Sequence, residues 1–229
     1  MGPKRTQLPD EVATYVRELI LSGQARPGEF LRMEPIAEAL SISVTPVREG
    51  LLSLSSEGYL DLVPRRGFQV AGFSRQDVRD LFWAQAQLGG ELAARAAKLA
   101  TSADIDLLVG YEQTLQEAMP SGDDAAIAEL SYTFHRQINR IADSARLARL
   151  LHSIVIQLPN TFYAAIEGRR DSMDTEHTML IKALSSADSR KARSVMEHHL
   201  MDGVDQLISD LEARGLWKAP AADPPTDPH

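Results

Sequence analysis

The chain has 229 residues, 44% of them hydrophobic, and its 24 Lys/Arg against 32 Asp/Glu give a formal charge of -8. That hydrophobic share supports one large or two small packed cores and excludes disorder for most of the length, while the absence of cysteine excludes disulfides, thiolate metal sites and thiol catalysis. No apolar run reaches the roughly 18 residues that a membrane span needs, and residues 1–7 are a short polar start, so a cytoplasmic protein with no membrane partner is expected.

The charge is unevenly spread: residues 1–73 hold 8 Lys/Arg against 9 Asp/Glu, and residues 74–229 hold 16 against 23. The acidity therefore belongs mainly to the second part, and the first retains room for a local basic patch. Beyond a flexible start over 1–7, Val12, Val16, Leu19 and Ile20 recur at helical spacing from Pro9 to Ser22, and Gly23 with Pro27-Gly28 stops that helix. A second, short helix over 35–40 carries Ile36, Ala37 and Leu40 on one side. Ser41-Ile42-Ser43 breaks it, and Ser43 or Thr45 caps a third helix whose first turn tolerates Pro46, because that nitrogen has no helical partner. Val47, Leu51 and Leu54 form the inner side of this helix, Gly58 ends it, and Thr45 and Arg48 face outward. Two alternating strands, 59–63 and 67–70, flank a hairpin tip made of Pro64, Arg65, Arg66 and Gly67.

After the joint 71–73 every pattern is helical. Capping boxes open two helices, Ser74 with Asp77 one to about Ala100 and Thr101 with Asp104 one to Met119. Asp123 or Asp124 starts a helix through Ala142. A segment from Ser144 to Gly168, which Pro159 should kink or break, precedes a helix over 171–185, and Asp188 caps a last helix to about Gly215. Residues 217–229 contain four of the twelve prolines and read as a disordered tail. The expected fold is mainly α: a winged helix-turn-helix of three helices and a two-stranded wing over 8–72, then an all-helical bundle over 73–216.

A helix-turn-helix sends its second helix into the major groove, N-terminal residues first, so that stretch must offer hydrogen-bond donors on short or flexible side chains. Ser43, Thr45 and Arg48 meet this demand, Arg48 by pairing with guanine or clamping a phosphate. Arg65 and Arg66 on the wing reach the backbone or minor groove, with Gly67 allowing close approach. A helical hairpin that merely packs, with solvated arginines, is the alternative. The order of turn, cap, arginine and basic wing favours DNA.

Pro27-Gly28, Ile36-Ala37-Glu38-Ala39-Leu40, Ser43-Val44-Thr45-Pro46-Val47-Arg48-Glu49, Glu57-Gly58-Tyr59-Leu60 and Arg66-Gly67 resemble the winged helix-turn-helix of GntR-type bacterial transcriptional regulators, over nearly all of residues 9–70. The resemblance implies DNA contacts from Ser43, Thr45, Pro46, Arg48, Arg65, Arg66 and Gly67. Val44 stands where the family commonly has arginine, which means one DNA contact fewer, and Gly50 where it commonly has alanine.

In the second part, His135, His177 and His199 lie on three different expected helices. His199 falls on the stripe of Ala192, Val195, Met196, Leu200, Val204, Leu207 and Leu211, whereas His198 does not. His177 shares a face with Met173, Leu180, Ile181 and Leu184, and His135 sits beside Phe134, one turn from Ser131 and from Ile138. All three are able to point inward. Inward imidazoles are either hydrogen-bonded core residues or, where three converge, ligands for Zn²⁺, Ni²⁺ or a similar ion. The pattern alone leaves both readings open.

Phe134-His135-Arg136, Glu176-His177 with Ile181 and Ala183, Asp188, Ala192, Met196 and His199-Leu200 resemble the FCD effector-binding domain of the FadR branch of that family, over roughly residues 74–212. The resemblance implies a divalent metal on His135, His177 and His199. In many such domains an aspartate one turn before the first histidine joins them. Ser131 stands in its place here, so three neutral imidazoles, with water or effector, would hold the ion less tightly. Gln85 and Gly89 replace a common arginine and glutamate, and Ser131, Gln85, Tyr132 and Arg136 are the candidates to contact effector. The implied protein is a bacterial repressor, a homodimer on near-palindromic double-stranded operator DNA, controlled by a small organic acid whose carboxylate the metal grips. Two other readings compete: a regulator for which the ion itself is the signal, and a three-histidine hydrolase with Glu91, Glu129 or Glu176 as base. An enzyme would leave the winged helix unexplained and is not expected.

Overall fold

The computed structural model describes residues 8–158 and 173–217. The expected flexible start, the expected break at Pro159 and residues 218–229 of the expected tail lie outside them. The chain divides into two compact units, one made of residues 1–74 with 209–229, the other of Arg75–Ile208.

In the first unit, α1 (Leu8–Leu21) lays Val12, Val16 and Ile20 against Val47, Leu51 and Leu54 of α3 (Val44–Ser56). Gly50 makes that approach: a Cβ there would lie 2.7 Å from both the Pro9 carbonyl oxygen and Val12 Cβ. A glycine in mid-helix costs about 1 kcal/mol against alanine, and here it is offset by close packing of the two helices. Between them, α2 (Met33–Leu40) ends at Ser41 in the left-handed region (φ 55), where the Ser41 and Ile42 amides donate to the carbonyls of Glu38 and Ala37. Ser43 follows in extended conformation, so the chain turns sharply from α2 into α3.

The wing belongs to a three-stranded antiparallel sheet rather than a two-stranded one. Strand β1 (Phe30–Leu31) pairs with β3 (Gly67–Val70), which pairs in turn with β2 (Leu60–Val63). Phe68 and Val70 of the central strand are buried while Gly67 and Gln69 are not, the alternation that a pleated strand imposes. Two residues are too few for β1 to show any alternation in sequence. Arg17, buried on α1, pairs with Glu57 at 2.5 Å and lies 5.7 Å from the Tyr59 ring centroid, tying the end of α3 to α1.

The second unit packs α4 (Arg75–Leu99), α5 (Ser102–Ala118), α6 (Asp124–Ile141), α7 (Ala145–Val155), α8 (Met173–Ser185) and α9 (Ser189–Asp202) around Leu92, Ala96, Leu108, Phe134, Ile138, Leu180 and Met196. Of the two capping boxes read in the sequence, the one at Thr101 is formed: the Asp104 amide donates to Thr101 Oγ1 at 3.2 Å and the Thr101 amide to Asp104 Oδ2 at 3.0 Å. Asp123 and Asp188 cap α6 and α9 through the amides of Ala126 and Lys191. At the crossing of α4 with α9, a Cβ on Gly89 would come within 2.9 Å of Leu200 Cδ1 and 3.4 Å of Met196 Cγ. A glutamate at this position would require the Leu200 and Met196 side chains to shift. Outside the core, Glu91 pairs with Arg95 and Arg193, whose hydrogen bonds hold its carboxyl below the usual carboxylate range.

The helix expected to run from Asp188 to Gly215 is broken. Gly203 ends α9, and α10 (Val204–Arg214) starts in the second unit and finishes in the first. The apolar stripe continues across the break, which is why helical periodicity does not register it. Past α10, Leu216 is buried and Trp217 Nε1 donates to the Phe73 carbonyl at 2.6 Å, so Trp217, counted in the expected tail, is tied to the first unit. No helix among the described residues is long and apolar enough to cross a membrane.

Candidate functional site

The buried face of α3, formed by Val47, Gly50, Leu51 and Leu54, turns Thr45, Arg48 and Glu49 outward. Ser43 is the residue before the helix, exposed, with φ -80 and ψ 164, and its hydroxyl makes no capping hydrogen bond. Pro46 is half-buried in the first turn. These residues form an exposed edge able to donate hydrogen bonds beyond the protein. Val44, in the position noted for a missing arginine, is 40% exposed and adds only an apolar contact.

At the hairpin tip, Arg65 sits at φ 65 and Gly67 at φ 100. Placing a non-glycine residue there costs about 1–2 kcal/mol, and the turn bond from the Arg66 amide to the Val63 carbonyl (3.1 Å) holds it. Both arginines are exposed, but they differ. The Arg66 guanidinium lies 4.2 Å over the Phe30 ring, a cation–π contact that braces the tip against β1, whereas Arg65 projects from the turn. Because Glu57 is paired with Arg17 inside the unit, the acid at the far end of α3 does not offset these cations.

In the second unit, α6, α8 and α9 bring His135, His177 and His199 together, with one potential ligand atom from each lying within 4.8 Å of the others. His177 is fully buried, His199 nearly so, and His135 is half-buried. His177 Nδ1 is 2.5 Å from Glu112 Oε2, and His199 Nδ1 is 2.9 Å from Glu176 Oε2. A carboxylate only accepts, so each Nδ1 carries a proton, and in the neutral ring Nε2 then presents its lone pair to the cluster. The His177 ring stacks on Phe134 with centroids 4.2 Å apart, and its buried Nε2 has no hydrogen-bond partner among the described residues. His199 Nε2 lies 3.1 Å from His135 Nε2.

This donor set fits a divalent metal. An unpaired lone pair in a buried site carries a desolvation cost of about 1–3 kcal/mol, and a cation removes it. Three neutral imidazoles are an ordinary complement for zinc-like ions, and carboxylates behind two of them match the outer partners that metal-bound histidines commonly have. Ser131, one turn before His135 on α6, is buried and offers a hydroxyl where a carboxylate would bind better. Gln85 on α4 is buried, Tyr132 is half-buried with its ring centroid 6.5 Å from that of His152, and Arg136 is exposed on α6. Glu112 was missed at the level of sequence. It stands on the α5 face with Leu108 and Leu115, and an acid interrupting an apolar stripe was the available signal.

Comparisons with known proteins fall in the same two parts. Residues 8–70 match the family model "Bacterial regulatory proteins, gntR family", and residues 80–202 match "FCD domain". The chain is 26% identical over 197 residues to the "Probable D-xylose utilization operon transcriptional repressor" of Paenarthrobacter nicotinovorans, covering 86% of this chain and 87% of that one. To the "Glc operon transcriptional activator" of Escherichia coli (strain K12) it is 25% identical over 240 residues, covering 94% of each. The solved structure of E. coli McbR/YncC aligns with a TM-score of 0.65 at 21% identity, over 89% of this chain and 98% of that one, a likeness of fold. These families and relatives are transcriptional regulators, not enzymes, which removes the three-histidine hydrolase.

Proposed function

We propose, for a chain that belongs to the gntR family of bacterial transcriptional regulators and carries an FCD domain, that its winged helix binds operator DNA under the control of an organic acid held through a divalent metal. Ser43, Thr45 and Arg48 read bases from α3, with Pro46 shaping the entry, and Arg65, Arg66 and Gly67 meet the backbone or minor groove. His135, His177 and His199 hold the ion, whose remaining positions take water or the carboxylate of the effector, beside Ser131, Gln85 and Tyr132. Arg136, exposed one residue after a ligand, contacts effector only at the mouth of the site. The protein acts in the cytoplasm as a homodimer on a near-palindromic operator, and as a repressor.

The observation that carries this reading is the convergence of three imidazoles on a point where a buried His177 Nε2 has no hydrogen-bond partner among the described residues. It is tested with metal-stripped protein, Zn²⁺ or Ni²⁺, a panel of carboxylic acids and the promoter next to its own locus. The ion should raise the melting temperature, an acid should raise it further only when the ion is present, and the pair should change operator affinity. If neither ions nor acids alter melting or DNA binding, the reading fails. A change in DNA binding with the ion alone would make the metal itself the signal.

A further inference from the structure

We infer that Glu112 and Glu176 are the positioning residues that set metal affinity at this site, an inference that rests on the reading of the three histidines as ligands. Neither carboxylate touches the point of convergence. Each acts through a ring, holding its proton on Nδ1 and its lone pair inward.

Glu112 is itself held in place. It is buried on α5, and its Oε1 accepts from Gln116 Nε2 at 2.9 Å while Oε2 faces His177. With Phe134 stacked on one face and Glu112 at one edge, the His177 ring is held so that Nε2 has no hydrogen-bond partner among the described residues. Glu176 is equally buried; besides His199 it lies 3.7 Å from Nε2 of the exposed His198. Burying a carboxylate against a neutral ring is costly unless a positive charge is near. Three neutral imidazoles carry no charge, and the two formal negative charges behind them match a dication. If Glu112 only filled the core, a neutral partner of the same shape would serve as well.

The test compares metal-stripped wild type with Glu112→Gln, Glu176→Gln and Gln116→Ala, by competition for Zn²⁺ and Co²⁺ against a chromophoric chelator, alongside melting without metal. Glutamine keeps the shape and the oxygen acceptor but loses the charge. Each Glu→Gln variant should bind both ions about 10- to 100-fold more weakly while melting, metal-free, near the wild type. Gln116→Ala, which leaves both charges in place, should lose less. Wild-type affinity in both Glu→Gln variants overturns this inference and leaves the proposed metal site intact. Wild-type protein that binds neither ion overturns both. If one variant fails to fold, the other two still decide the question.

Discussion

The two units build their sites in opposite ways. In the first, Ser43, Thr45, Arg48, Arg65 and Arg66 are exposed and come from two neighbouring elements, and their backbone is set by a turn, a helix and a hairpin. In the second, the histidines are contributed by α6, α8 and α9, with His135 and His199 64 residues apart, and they are packed against Phe134 and two carboxylates in the interior. A surface reader is changed without disturbing the fold, because its side chains contribute little to packing. In the buried site the two are coupled wherever a side chain that lies against a histidine also fills the core, as Phe134 does.

Phe134→Ala presses hardest on this contrast. It removes a fully buried ring that also stacks on His177, so denaturant unfolding should show a loss of about 3–5 kcal/mol and metal affinity should fall with it. Unchanged metal affinity would show that the ring does not orient the ligand. Gly50→Ala asks whether the first unit has any position as unforgiving. Its Cβ would enter contacts of 2.7 Å, and a cost of about 1–3 kcal/mol is expected in thermal or denaturant unfolding, although alanine is the better helix former.

Arg48→Ala should do the reverse. Stability should stay within about 0.5 kcal/mol, while operator affinity measured by fluorescence anisotropy falls by about 1–3 kcal/mol. An equal loss on random DNA would mean that Arg48 touches phosphate only. Thr101→Ala is the smallest change, at about 1 kcal/mol near neutrality. Hydrogen bonds from the Thr101 side chain and backbone hold the Asp104 carboxyl below its usual range. A group with a lowered folded pKa stabilises above its unfolded value and loses that contribution as pH falls through the folded one. The difference between variant and wild type should therefore narrow below about pH 4.

Local chemistry made much of this legible in advance. Caps at Thr101, Asp123 and Asp188 are interactions over three residues, and each is formed where the residue types place it. The wing hairpin and the outward face of α3 follow from spacing alone. The features that escaped are those a neighbour decides: β1 is a strand only because β3 lies beside it, and the break at Gly203 is hidden by an apolar stripe that continues past it. Glu112 looked like any acid in a helix until His177 was set against it.

By itself, the sequence determined most of the helices and the wing hairpin, where an exposed edge bearing hydrogen-bond donors would form, and which histidines lie on inward faces, because these depend on period, caps and turns within a few residues. Only the tertiary structure decided that three imidazoles meet, that two carboxylates stand behind them, and that Gly50 and Gly89 mark close helix crossings. Those outcomes depend on which faces pack together across long stretches of chain, and no local pattern carries that distance.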